Sequence, residues 1–318
     1  MLSRTHPLTS ELARAMTLAL ALAALVSSLA PRANAQSEKL LSKVGFTYAG
    51  VIFDSAGNLY GAAMYGGGRN PDCNVGCGSI FMLSPTSSGW TETALYNFTG
   101  GNDGSYPAAS PIFDAAGNLY GTTFGGGQFS RGVVYKLSPV FGGDWTETVL
   151  YSFTGKEDGG SPVASLALDA AGNLYGTAPQ GGIVDAGVIF QLSPTSGGGW
   201  TENILHSFTG LTDGGSPTAS LILDAAGNLC GTTAHGGNLG TNVCYSAGCG
   251  VVFELSYTST GWQETVLHAF GGKDDGVGPV GSLTFDAAGN LYGATLEGGH
   301  RHEGHCLSAS PRLKRGLG

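Results

Sequence analysis

The sequence predicts an all-β protein: a β-propeller of four-stranded antiparallel blades, five of them, with an N-terminal strand completing the last. Three observations predict it. A segment Phe/Leu-Asp-Ala-Ala-Gly-Asn-Leu-Tyr-Gly-Thr occurs in five close copies, and its aspartates Asp54, Asp114, Asp169, Asp224 and Asp286 lie 60, 55, 55 and 62 residues apart. A unit of that length is too long for a leucine-rich repeat and suits four strands. The chain has 55 glycines in 318 residues and only 12% charged side chains, a turn-rich β composition. Between the copies, apolar residues alternate or run continuously in short segments, with no long stretch of helical period.

The first element is a leader, residues 1–35. Arg4 and Arg14 precede an apolar run from Ala15 to Ala30, and Ala33-Asn34-Ala35 presents small residues before Gln36. That order is the pattern of a secretory signal peptide. The run is shorter than the roughly 20 apolar residues a membrane span needs, so an uncleaved anchor is the weaker alternative. The repeat domain follows at 36–299, and 300–318 reads as a degenerate strand and C-terminal tail.

Within one unit, Val163–Asp169 is apolar on both faces and is expected as a buried inner strand. Ala170-Ala171-Gly172-Asn173 then turns the chain, with Gly172 free to take positive φ and Asp169 capping the turn. Leu174–Ala178 is the second strand, Gly187–Pro194 the third and Trp200–Phe208 the fourth. In the fourth, simple alternation puts Trp200, Ile204, His206 and Phe208 on one face and Thr201, Asn203, Leu205 and Ser207 on the other. Trp90, Trp145, Trp200 and Trp262 open the fourth strand of successive units and read as packing residues. Thr209–Pro217 crosses to the next unit. The fifth unit has two clear strands, then Gly304–Pro311 at third-strand spacing without its apolar alternation. Glu38–Val44 lines up with the fourth-strand segment Glu147–Phe153 and is expected to complete that blade, removing an exposed edge.

The shorter string, Asp-Gly-x-x-Pro-x-Ala-Ser-Leu-x-Leu-Asp-Ala-Ala-Gly-Asn-Leu-Tyr-Gly-Thr, resembles the NHL repeat of six-bladed propellers. The longer unit adds Gly-Val-Val-Phe-x-Leu-Ser-Pro and Trp-Thr-Glu-Thr-Val-Leu-Tyr-Ser-Phe-Thr-Gly. It resembles the GloVer-type tandem repeat of choice-of-anchor exported proteins over nearly all of 36–299. The resemblance implies a repetitive, exported protein and implies no reaction.

Charge narrows the partners. Between Gln36 and Gly299 there are 7 Lys and Arg against 21 Asp and Glu. Such a surface repels phosphate backbones and anionic lipid, which argues against nucleic acid. A glycan, a protein or an envelope polymer is the expected partner of a secreted, periplasmic or envelope scaffold that presents similar sites at fixed spacing. The competing class is a metal-dependent lactonase or lyase on a propeller, with a cation in the central channel. No acid, base or imidazole breaks the channel pattern of Ser110, Ser165, Ser220 and Ser282, with Gly50 in the remaining copy, and an active site needs unlike groups converging.

Strand alternation puts the uniform Ala-Ala-Gly-Asn turns, with the third-to-fourth turns, on one side and nearly everything variable on the other, where binding is expected. Tyr65, Phe124, Gln180, His235 and Glu297 mark that face. So do Asp103, Asp158, Asp213 and Asp275 in the crossovers; they could form a carboxylate ring for Ca²⁺, or serve plain turn chemistry. Two insertions carry Cys73 with Cys77 and Cys244 with Cys249, read as one local disulfide each, with a shared zinc site as the alternative. Cys230 replaces the repeat tyrosine and reads as a buried thiol, which leaves Cys306 over. His300, His302 and His305 beside Cys306 are candidate Zn²⁺ or Cu²⁺ ligands, or a solvated tail.

Overall fold

The computed structural model describes residues 47, 49–68, 73–240, 244, 247–272 and 275–298, and the backbone of 306–309. The leader, the strand expected at Glu38–Val44 and the histidines His300, His302 and His305 lie outside the described residues. What is described is all-β, in five antiparallel sheets. The first holds β1 (Ile52–Phe53), β2 (Leu59–Ala63), β3 (Ser79–Thr86) and β4 (Gly89–Asn97). The second holds β5 (Ile112–Phe113), β6 (Leu119–Thr122), β7 (Val133–Pro139) and β8 (Trp145–Ser152). The third holds β9 (Ala167–Leu168), β10 (Leu174–Ala178), β11 (Val188–Pro194) and β12 (Trp200–Ser207). The fourth holds β13 (Ile222–Leu223), β14 (Leu229–Thr233), β15 (Val251–Thr258) and β16 (Gly261–Ala269). The fifth has three described strands, β17 (Thr284–Phe285), β18 (Leu291–Ala294) and β19 (Cys306–Ala309). Each sheet pairs its strands in chain order.

Two expectations change. The inner strand is far shorter than Val163–Asp169: only Ala167 and Leu168 join the ladder, opposite Tyr175 and Leu174. The residues before them turn to the neighbouring sheet, as the Ser165 amide donates to Ser220 Oγ at 3.0 Å. Simple alternation also fails in the fourth strand. Ile189 pairs His206 and Phe190 pairs Ile204, so Leu205 is a bulged extra residue. The bulge turns Ile204 outward, 37% exposed, and brings Leu205 into the core. The same register shift recurs at Ile80/Phe81, Val134/Tyr135 and Val252/Phe253.

The repeated aspartate explains the repeated turn. Asp169 Oδ1 accepts from the amides of Ala171 and Asn173, and Oδ2 accepts from Asn173 Nδ2 and the Tyr175 hydroxyl. Gly172, at φ 86°, closes the turn in a conformation that disfavours a side chain. Asp54, Asp114 and Asp286 repeat all four bonds. Asp224 makes the three that do not need the phenol, because Cys230 stands in the tyrosine's place. Cys230 is buried and unbridged, and burial pushes its thiol up to about 12.

Consecutive sheets are joined by three repeated devices. Phe98 packs edge-on against Tyr135, Phe153 against Phe190 and Phe208 against Phe253, with ring centroids 5.2, 5.1 and 5.4 Å apart. All six rings are fully buried. Trp200 meets Tyr120 of the preceding sheet and Trp262 meets Tyr175, so the tryptophans do pack. The buried hydroxyls of Thr122, Thr177 and Thr232 donate to the carbonyls of Ala164, Ala219 and Pro279 in the next unit, at 3.1, 3.1 and 2.9 Å.

Tyr135 is the exception in its row, since the equivalent residues are Phe81, Phe190 and Phe253. Its hydroxyl is buried without a hydrogen-bond partner, and burial raises its pKa. A buried unsatisfied hydroxyl costs about 1–3 kcal/mol. Tyr135→Phe is therefore expected to raise the urea midpoint at unchanged m-value; a fall in midpoint would mean that the hydroxyl has a role in holding the sheet.

Candidate binding site

The segments that lead into the five inner strands line one cavity of about 470 Å³. Gly50, Ser110, Ser165, Ser220 and Ser282 all face it, as expected from their equivalent positions. Ser110 Oγ donates to the Gly50 carbonyl at 2.8 Å, so neighbouring inner segments also hold one another. The rest of the lining is alanine, valine, Thr218 and Met64. Among the described residues, the hydroxyls and methyls lining this cavity supply neither a general base nor the carboxylate or imidazole set that a bound cation would need.

The crossover aspartates face their own loops. Asp103 accepts from the Thr99 amide and hydroxyl, both at 2.7 Å, and from the Tyr96 hydroxyl at 3.1 Å. Asp158 does the same with Thr154 and Tyr151. Asp213 accepts from the Thr209 amide and hydroxyl with His206 Nε2 3.5 Å away, and Asp275 takes the Gly271 amide and His268 Nε2. Each carboxylate closes a turn at the end of a fourth strand, and the four do not converge. Among the described residues, no three of His, Cys, Asp and Glu are grouped to hold a metal ion.

Glutamates of the fourth strands stand close to these aspartates. Burial, reinforced by Asp103, pushes the Glu147 carboxyl up to about 7. Burial and Asp158 do the same to Glu202, and burial and Asp213 to Glu264. Each has a buried Oε1 without a hydrogen-bond partner.

The variable face carries the insertions. Cys73–Cys77 and Cys244–Cys249 are disulfides, with Cα atoms 5.1 and 5.2 Å apart, so the cysteines serve two separate loops. Gln180, His235 and Glu297 occupy one repeated position, an isolated bridge to Gly160, Gly215 and Val277. Phe124 lies one residue off that register, because Gly125 takes the bridge to Ser105. Phe124 and Gln180 come together on a groove of about 500 Å³ whose lining includes Tyr106 and Arg131. Tyr65 adjoins it through an edge-on contact with Tyr106, centroids 5.7 Å apart. His235 and Glu297 do not line this groove.

Tyr106 and Arg131 were missed by sequence reasoning, yet a signal existed. At Tyr106's place the later copies have Ser161, Ser216 and Gly278. At Arg131's place the other copies have Cys77, Ala186 and Cys249, and all four backbones do the same work. The carbonyls of Cys77, Arg131, Ala186 and Cys249 accept from the amides of Tyr106, Ser161, Ser216 and Gly278, at 2.7–2.9 Å.

A family model, the Gloeobacter/Verrucomicrobia repeat, matches residues 36–245, about two-thirds of the chain. The chain belongs to the Gloeobacter/Verrucomicrobia repeat family. The GloVer-type resemblance is thereby borne out, and membership in this repeat family brings a unit but no assigned chemistry. A comparison with curated proteins finds no match. Among solved structures, the repeat protein is similar to a protein of unknown function from Dyadobacter fermentans, at 12% identity and a TM-score of 0.47, over 81% of this chain and 74% of that one. It is also similar to a putative oxidoreductase (glucose dehydrogenase) from Thermus thermophilus, at 14% identity and a TM-score of 0.37, over 85% and 98% of the two chains. Likeness at this level carries no argument about what the repeat protein does. No helix among the described residues is long and apolar enough to cross a membrane.

Proposed function

We propose that the five sheets are blades of a propeller and that the chain is an exported, non-catalytic scaffold whose loop face binds a glycan, protein or envelope polymer. One observation carries the reading: the inserted loops and the groove lie on one face. The opposite face repeats the same aspartate-locked turn in every copy, whereas the loop face holds both disulfide insertions and the groove. Convergence of five inner segments on one cavity supports the ring, and two disulfides suit an oxidising compartment.

Cosedimentation of the purified protein with isolated cell-envelope material tests this. Pelleting is expected for the wild type and for Asp169→Ala, which loses the turn's four bonds and about 1 kcal/mol of stability. It is expected to fail for Phe124→Ala at unchanged melting temperature. Loss of pelleting in folded Asp169→Ala alone would place binding on the other face, and no pelleting by the wild type would sink the scaffold reading.

A further inference from the structure

The repeat is broken in one place, and the breaks converge. Where later copies carry Ser161, Ser216 and Gly278, the second copy has Tyr106. Where they carry Pro179, Ala234 and Leu296, it has Phe124. Where the others carry Cys77, Ala186 and Cys249, it has Arg131. All three line the same groove. Tyr106 and Arg131 thus replace small side chains at one junction between sheets, and Phe124 places a ring between them where the other copies have Met64, Pro179, Ala234 or Leu296; Tyr106 packs in part against the core behind it. Phe124 is 38% exposed and Arg131 is exposed.

The backbone adds a second observation. Tyr106 sits at φ 61°, in the left-handed region, where an aromatic residue is strained and where the equivalent positions use serine or glycine. The backbone is the repeat's own, so what this copy adds is the ring, held in a conformation that costs an aromatic more than a glycine. Its ring is steadied by Tyr65.

Electrostatics select the ligand. Arg131 is the one arginine among the described residues, in a strongly acidic body, and no carboxylate among the described residues lines its groove. Its stem lies over Gly155 of the next crossover, and Nη1 donates to Gln180 Oε1 at 3.3 Å. That fixes a planar fork with donors to spare, matched to a carboxylate. Beside it, the rings of Tyr106 and Phe124 offer π faces, negative at the centre, to the positive C–H edges of a sugar ring. The size falls within the range of small-ligand sites.

We propose that this groove binds a short saccharide that carries a carboxylate, a uronic-acid oligomer. The proposal rests on the loop-face reading and names the ligand class for it. Arg131 holds the acid, and Tyr106 and Phe124 stack on the sugar.

Isothermal titration with trigalacturonic acid and with its fully methyl-esterified form tests it. The wild type is expected to bind the acid at least tenfold more tightly than the ester. Arg131→Gln removes that preference. Tyr106→Ser weakens both ligands tenfold or more and keeps its fold, because Ser161 and Ser216 already occupy that conformation. Lys136→Gln, outside the groove, changes nothing. The proposal is overturned if the wild type does not bind trigalacturonate, if the two groove variants bind like the wild type, or if a triglutamate peptide binds as tightly. Wild-type pelleting with envelope material alongside any of those results fails the groove and leaves the scaffold standing; absence of pelleting fails the scaffold itself.

Discussion

Phe190→Ala is expected to lose about 3–5 kcal/mol of stability, the usual cost of deleting a buried aromatic ring. The ring is fully buried. It belongs to the cluster that joins the second and third sheets and meets Phe153 edge-on. It also lies directly over Gly176, its partner in the β10–β11 ladder, where a Cβ would collide with it. Removal therefore opens a void on both sides of the β-sheet junction, and the short backbone ladder there has little freedom to collapse into it. Urea unfolding measures the loss. Phe141, fully exposed in a loop, supplies the comparison: Phe141→Ala should change stability by less than about 0.5 kcal/mol. A cost for Phe190→Ala close to that of Phe141→Ala would mean that the sheets are not packed on these rings.

Stability is expected to rise by several degrees of melting temperature as pH falls from 8 to 5. Glu147, Glu202 and Glu264 have folded pKa values pushed up to about 7, chiefly by burial, against the ordinary glutamate range when unfolded. Between the two values the folded state holds protons that the unfolded state has released, so stability is present at the acid end and is lost as pH rises toward 7. His206 opposes this. Burial depresses its pKa against the pull of Asp213, so its contribution is lost as pH falls. Three glutamates outnumber one histidine. Below the carboxylate range the sign reverses. Burial works against ionisation of Asp169, but the bonds from Asn173, Tyr175 and Ala171 outweigh it and hold the pKa low. Asp54 and Asp114 behave alike, and their contribution disappears in acid. The melting temperature should thus peak near pH 5. Changing all three glutamates to glutamine should flatten its alkaline side; a peak at pH 8 would show that the carboxyls are solvated.

Much of this was legible in the sequence, for stated reasons. A repeat makes each copy a check on the others, so the strand order, the turn aspartate, the packing tryptophans and the buried Cys230 follow from comparing five lines of text. The bulge at Leu205 was not legible, because alternation assumes one partner per residue and gives no sign where a strand gains one. The truncated inner strand was hidden because apolar residues that line a cavity read like those within a ladder. The aspartates Asp103, Asp158, Asp213 and Asp275 left a ring or plain turn chemistry open on paper, and the turn reading is what the structure shows: each takes its threonine or glycine amide four residues upstream. The groove was half legible. Phe124 and Gln180 stood out as variable, whereas Tyr106 and Arg131 lie in segments that look like connecting loop until their backbones are superimposed on the other copies.

The threonines that fasten one unit to the next occur in the second, third and fourth copies; the first and fifth have Ala62 and Ala294 there. The three joints that follow the second, third and fourth units are thus riveted, whereas the first unit meets the second through other contacts, among them Ser110 Oγ on the Gly50 carbonyl and Phe98 against Tyr135. A tandem array made this way is graded along its length: its first joint rests on rings and a serine where the next three add a sunken hydroxyl as a pin.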